Sequence, residues 1–149
     1  MTGSDLPATV PPAGLYQSFR RSRDALHISG QVPWDGGKLR AVGRLGASVS
    51  TAEGAACAHQ AALNALAIAV DVAKETGLVH AVAMRVYLAT TEDFTDHVAV
   101  ADGASRALLA VLGETGAHSR TTIGVASLPL GSPVEVELTF EIARTGVRA

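Results

Sequence analysis

From Val134 onward apolar and polar side chains alternate without interruption. Val134, Val136, Leu138, Phe140 and Ile142 fall on one face, and Glu135, Glu137, Thr139 and Glu141 on the other. A period of two predicts a strand with one face buried. Upstream, His118–Val125 is rich in Thr, Ile and Val. The intervening LPLGSP carries the Pro and Gly that mark a turn, so the two runs read as a hairpin turning at Pro129–Pro133. Near the start, Tyr16–Arg23 reads as a short polar strand and Ala25–Val32 as a buried one with Leu26, Ile28 and Val32 on one side. Trp34–Gly37 reads as a turn, with a brief strand over Lys38–Gly43.

Two stretches follow a helical period. Ser50-Thr51-Ala52-Glu53 forms a capping box, and Leu63, Leu66 and Val70 follow at helical spacing in an alanine-rich run that stops near Gly77. Val98–Leu112 predicts a second helix ending at Gly113, with Asp102 and Gly103 favouring a break or late start in its first half. Between them, His80–Thr90 alternates Val82, Met84, Val86 and Leu88 with Ala81, Ala83, Arg85, Tyr87 and Ala89. Apolar residues on both sides of that strand imply that one sheet face packs helices and the other meets a second copy. The element order is α+β, with two helices to cover one face of one sheet.

Composition narrows the class. A chain of 149 residues is one domain that buries an ordinary core: an extended arm over 1–14, holding three prolines, and a single domain over 15–149. A net charge of −2 argues against a nucleic-acid partner held by bulk electrostatics. Arg20, Arg21 and Arg23 form the sole basic cluster and read as a solvated strand face. One cysteine rules out an internal disulfide and suits a reducing cytoplasm. No N-terminal signal is evident and no apolar run approaches membrane length, so the expectation is a cytoplasmic protein with no membrane partner. Cys57 and His59 have neither a second thiol nor a spaced histidine beside them, so no metal and no cofactor is expected.

The residue that departs from this pattern is Arg120. It stands at the mouth of a strand among the hydroxyls of Ser119, Thr121 and Thr122. A guanidinium fork with neutral donors around it suits a small carboxylate-bearing substrate. Glu135 and Glu137, on the polar face of the last strand, are placed to order a water. His118, two residues before Arg120, reads first as a surface loop residue and second as a member of that site.

Arg120 followed by VASLP and VEVE resembles the C-terminal signature of the Rid family, also called YjgF or reactive intermediate deaminases. YQSFRRSRDALHISGQVP resembles its N-terminal hairpin. The resemblance covers nearly the whole chain from about Tyr16. It implies a chorismate-mutase-like fold with one mixed sheet, two helices on one face, and homotrimers with clefts between subunits. It also assigns Arg120 to the substrate carboxylate and Glu135 to the attacking water, with Tyr16, Ser29, Gly30 and Thr122 completing the pocket. The implied reaction hydrolyses a 2-iminoacid to a 2-ketoacid and ammonia without cofactor. Thr122 stands where many deaminase members have Cys and Val98 where they have Asn. The longer VADGASRALLAVLGETGAHSR resembles a branch of about 150 residues whose substrate is open. Other readings are a non-catalytic carboxylate-binding or regulatory trimer, a specialised biosynthetic enzyme, and, more weakly, an endoribonuclease or translation inhibitor. In the hairpin register, Arg120 and Glu135 stand about seven residues apart, roughly 20 Å. One substrate meets both only if they come from neighbouring chains.

Overall fold

The computed structural model describes residues 6–74 and 76–143; the first residues of the expected arm and the C-terminal end of the expected domain lie outside them. The strands are β1 (Phe19–Ser22), β2 (Ala25–Gln31), β3 (Trp34–Asp35), β4 (Lys38–Leu39), β5 (Leu78–Ala89), β6 (Ser119–Val125) and β7 (Val134–Ile142). The helices are α1 (Thr51–Val72) and α2 (His97–Leu112), with short 3₁₀ turns at Gly113–Gly116 and Pro129–Gly131. Five strands form one mixed sheet in the order β1-β2-β7-β5-β6, and β3 and β4 form a separate ribbon. That ribbon turns at Gly36 and Gly37, both at positive φ, where the sequence marked a turn.

The strict alternation of β7 is realised: every second residue is buried. Leu26 and Ile28 of β2, Met84, Val86 and Leu88 of β5, and Phe140, Leu138, Val136 and Val134 of β7 are each no more than 1% exposed. At roughly 1.5–3 kcal/mol for each large side chain fully buried, this layer is the main source of stability. The helices lie on it through small residues. Ala58, Ala61, Ala62, Ala65 and Ala69 of α1 are fully buried, which brings the helix axis close to the sheet. The capping box forms as expected: Ser50 N–H donates to Glu53 Oε2 (2.9 Å) and Glu53 N–H to Ser50 Oγ (3.2 Å). Arg21 donates to the carbonyl of Val72 at the other end of α1, so one member of the basic cluster serves that helix C-terminus.

Four expectations need correction. First, β6 and β7 are not a hairpin. β5 lies between them, parallel to β6 and antiparallel to β7. The twelve-residue β5 takes a central place, whereas β6, half-exposed along its length, suits an edge. Second, α2 is continuous through Asp102 and Gly103. A Cβ on Gly103 would stand 2.0 Å from the carbonyl oxygen of Ala55, so this glycine serves a close helix crossing. Third, β5 does not alternate strictly: a bulge between Ala81 and Ala83 turns Val82 outward, 43% exposed. Its uncovered face is mixed: Val82 and Ala83 stand beside Arg85, which donates to Glu137 (2.6 Å), and Tyr87, whose OH donates to the same carboxylate (3.2 Å). Fourth, α1 does have membrane length, with a mean hydropathy of 1.3 over its best 18 residues, although most of that window is buried in the fold. Alanines that permit close packing also raise the hydropathy.

Substituting Gly103→Ala tests the helix crossing. Alanine gains about 1 kcal/mol of helix propensity, yet the clash with Ala55 is a backbone contact that cannot rotate away. The variant is expected to lose about 1–3 kcal/mol net in denaturant titration. A more stable variant would mean that the helices cross elsewhere.

Candidate functional site

The pairing of β2 with β7 steps from Ile28↔Leu138 to Gln31↔Val136, so Ser29 and Gly30 together oppose Glu137 as a bulge. The bulge is tied down from behind: Ser29 Oγ donates to the carbonyl of Gln17 (2.7 Å) and Ser29 N–H to that of Ser18 (3.0 Å). Ser29 thereby fixes the segment that follows Tyr16. Gly30 is bare for a different reason. A Cβ there would fall 1.9 Å from Glu135 Oε1 and 2.8 Å from its Cδ, so the carboxylate rests on the glycine backbone. Burial pushes the Glu135 carboxyl above the ordinary carboxylate range, and the negative charge of Glu137 pushes it further the same way. Glu137 has Arg85 and Tyr87 for partners; no hydrogen bond from the described residues reaches Glu135. Gly30 and the half-exposed Tyr16 also line a cavity of about 150 Å³.

Arg120 lies elsewhere. It shares a row with Met84 and Leu138, on the sheet face that the helices cover. Its Nη1 donates to Asp102 Oδ1 (2.9 Å) and to Ser105 Oγ (2.8 Å), both on α2 and one turn apart. Ser105 Oγ lies 3.0 Å from His118 Nε2, and His118 Nδ1 lies 2.6 Å from the carbonyl of Gly116. A carbonyl only accepts, so Nδ1 carries the hydrogen. With the ring neutral, Ser105 donates to Nε2 while accepting from Arg120. His118 is therefore a member of this network rather than a surface loop residue. The Nε and Nη2 donors of Arg120 have no hydrogen-bond partner among the described residues, which leaves one edge of the fork unused. Thr122 follows on the same face, in the row of Val86 and Val136.

One chain thus gathers Tyr16, Ser29, Gly30 and Glu135 at one place, and Arg120 and Thr122 at another. Glu135 precedes Leu138 by three positions and pairs with Tyr87 on the uncovered face. With two strand spacings between β7 and β6, the backbones of Glu135 and Arg120 are roughly 10 Å apart along the strands and about 10 Å across them. Their side chains also leave opposite faces. The true register replaces the hairpin estimate and keeps its consequence: no small ligand bridges these two groups within one chain. Asp102 and Ser105 were missed as partners of Arg120. The available signal was the pair Asp102 and Ser105 at i and i+3 in a helix whose other polar side chains are only His97 and Arg106.

The family model described as "YjgF/chorismate mutase-like, putative endoribonuclease" matches residues 1–142. The chain belongs to the YjgF family. A family relative, Protein TCP17 of Trypanosoma cruzi, is 38% identical over 144 residues, covering 94% of this chain and 89% of that protein. A solved "putative endoribonuclease" of Shewanella oneidensis superposes with a TM-score of 0.88 at 33% identity, over 92% of this chain and 91% of the other. RidA of an Antarctic Psychrobacter superposes with a TM-score of 0.63 at 25% identity, over 92% and 98% of the two chains. The YjgF fold, with its mixed sheet and two helices, is therefore common to proteins carrying different functional names.

The state of Glu135 has a measurable consequence. A carboxyl held above its ordinary range binds its proton more readily in the folded chain than in the unfolded one. The stability this contributes is present below the ordinary carboxylate range and is lost as pH rises through the raised value. Glu135→Gln, neutral throughout, is expected to be more stable than the parent at pH 7, with the difference closing toward about pH 4. Equal denaturation midpoints at pH 7 would show that Glu135 is not desolvated.

Proposed function

We propose that this YjgF-family chain is a hydrolase that deaminates 2-iminoacids at clefts between neighbouring copies of a homotrimer. The observation that carries the reading is the pair of complementary, unfinished half-sites. Among the described residues, one donor edge of Arg120 is unused, and the partly desolvated Glu135 carboxylate accepts no hydrogen bond. Each supplies what the other lacks.

In this reading the Nε–Nη2 edge of Arg120 holds the substrate carboxylate bidentately, while Asp102 and Ser105 keep the guanidinium from turning. Glu135 of the adjoining copy orients a water and takes its proton. A carboxyl displaced toward neutrality is a stronger base for this than an ordinary one. The water oxygen bonds to the C=N carbon as the π pair moves to nitrogen, which receives the proton Glu135 took; the new hydroxyl then passes its proton to nitrogen by the same carboxylate as C=O forms and the C–N bond breaks. The products are a 2-ketoacid and ammonia, so atoms and charge balance with no redox partner. Gly30 forms the floor against which Glu135 is held, Tyr16 stands at the same side, and Thr122 offers a hydroxyl on the Arg120 side. The RidA relative supports this reading. The ribonuclease reading rests on relatives' names, and a net charge of −2 with Glu135, Glu137 and Glu141 on the uncovered face is poorly suited to RNA.

Ammonia release from freshly generated 2-aminoacrylate tests the proposal. The parent is expected to exceed the spontaneous rate. Arg120→Ala should weaken 2-ketoacid binding by about two orders of magnitude, and Arg120→Lys should recover little, since a point charge does not reproduce the fork. Glu135→Gln should lower turnover more than it weakens ketoacid binding. Release no faster than the spontaneous rate, with ketoacid binding intact, would make the protein a carboxylate binder. Unchanged binding by Arg120→Ala would remove Arg120 from the site.

A further inference from the structure

We propose that the cavity beside Gly30 receives the substrate side chain, and that the preferred substrates are 2-iminoacids bearing an uncharged, benzene-sized apolar group. The inference rests on the placement of Glu135 in the reacting site, and it adds the substrate class. The cavity measures about 150 Å³, and its walls come from Val10, Pro12, Tyr16, Val32, Trp34 and Leu130. An apolar cavity of about that size holds a benzene molecule. A methyl group, as in the imine related to pyruvate, would leave most of it to disordered water or void.

Position gives the cavity its role. Its floor is Gly30, and the Glu135 carboxylate is packed against that same residue. A 2-iminoacid carries three substituents on its trigonal carbon: carboxylate, nitrogen and side chain. With the carboxylate drawn to Arg120 of the neighbour and the carbon set beside Glu135, the side chain is left the space next to Gly30.

The wall is also built rather than incidental. Asn64, only 7% exposed within the apolar core helix α1, donates its amide to the carbonyls of both Val32 and Trp34, each at 3.0 Å. Gln60 Nε2 donates in turn to Asn64 Oδ1 (3.0 Å). A buried amide in an alanine-rich helix is costly unless satisfied; this one is satisfied by fixing the Trp34 wall. The opposite wall comes from Val10–Ala13, stiffened by Pro11 and Pro12. Among the described lining residues none carries a carboxylate, an amine or a guanidinium, and the Gln31 amide is already turned to the carbonyls of Ser29 (3.1 Å) and Gly30 (3.2 Å). An acidic side chain would find no counter-ion among those residues and would approach the Glu135 carboxylate, and a basic one would be desolvated against apolar walls, so both fit less well than an apolar group.

Stable 2-oxoacids serve as probes on the full-length assembled protein. Binding is followed by calorimetry and by the fluorescence of Trp34, the only tryptophan in the chain. Phenylpyruvate and 4-methyl-2-oxopentanoate are expected to bind on the order of 10- to 100-fold tighter than pyruvate. 2-Oxoglutarate should bind more weakly than 4-methyl-2-oxopentanoate, and only the apolar probes should change Trp34 emission. Leu130→Asn supplies the control: Leu130 is 63% exposed at a positive φ of 60°, a conformation that asparagine tolerates. In that variant the phenylpyruvate-to-pyruvate ratio is expected to fall several-fold. If Arg120→Ala weakens every probe yet the apolar ones bind no tighter than pyruvate, the side-chain pocket is wrong and the site stands. Tighter apolar binding that ignores Leu130→Asn and leaves Trp34 silent would place the side chain elsewhere and overturn the proposal. If the parent binds no 2-oxoacid, or if Arg120→Ala changes nothing, the underlying site falls with it.

Discussion

β5 runs between β6 and β7, and the reach of both signature charges follows from that placement. Its parallel register with β6 sets Arg120 beside Met84, facing the helices. Its antiparallel register with β7 sets Tyr87 beside Glu135, facing away from them. Sheet geometry leaves no freedom here, since a side chain's face is fixed by its register. Were β6 and β7 a hairpin, Arg120 would lie about seven residues down the ladder from Glu135, roughly 20 Å. The connection β5–α2–β6 brings the edge strand back under the helix that holds its arginine.

Arg120 and Glu135, the two halves of the proposed site, are held by opposite means. Arg120 is restrained by anionic and neutral acceptors that occupy a single nitrogen, so orientation is gained while donors remain. Glu135 accepts no hydrogen bond among the described residues. It lies against a bare glycine, beside a second carboxylate that Arg85 and Tyr87 already serve. A half-buried carboxylate without a hydrogen bond costs stability, and such costs are characteristic of residues retained for a task. Asn64 is the contrasting case, a buried polar group that is satisfied and shapes the cavity wall.

Features governed by local chemistry were legible in the sequence. The capping box at Ser50–Glu53, the strict alternation of Val134–Ile142 and the glycine stop at Gly113 each follow from neighbours within a few residues. The α+β order was legible too, and so were the candidate residues, Arg120 as a departure from the strand pattern and Glu135 through resemblance. What failed was non-local. Strand order depends on which strands bury most area, so the hairpin suggested by LPLGSP was wrong. Gly103 looked like a helix breaker because the carbonyl it accommodates lies on another helix. The bulges at Ser29–Gly30 and near Val82 shift a face by one residue, and neither leaves a mark in the alternation. Ser105 and His118 gain meaning only once α2 crosses β6.

Complementation between chains is the most direct measurement of the claim that the site is completed across copies. Arg120→Ala and Glu135→Gln chains, each inactive alone, are unfolded together in equal amounts and refolded. In a closed ring with one arginine and one glutamate contributed to every cleft, random mixing makes about a quarter of the clefts intact. Recovery of about that fraction of the parent's 2-iminoacid hydrolysis is the predicted result, with none when either variant is refolded by itself. Mixed refolding that restores nothing, with both variants folded and assembled, would contradict the account and require Arg120 and Glu135 to act separately.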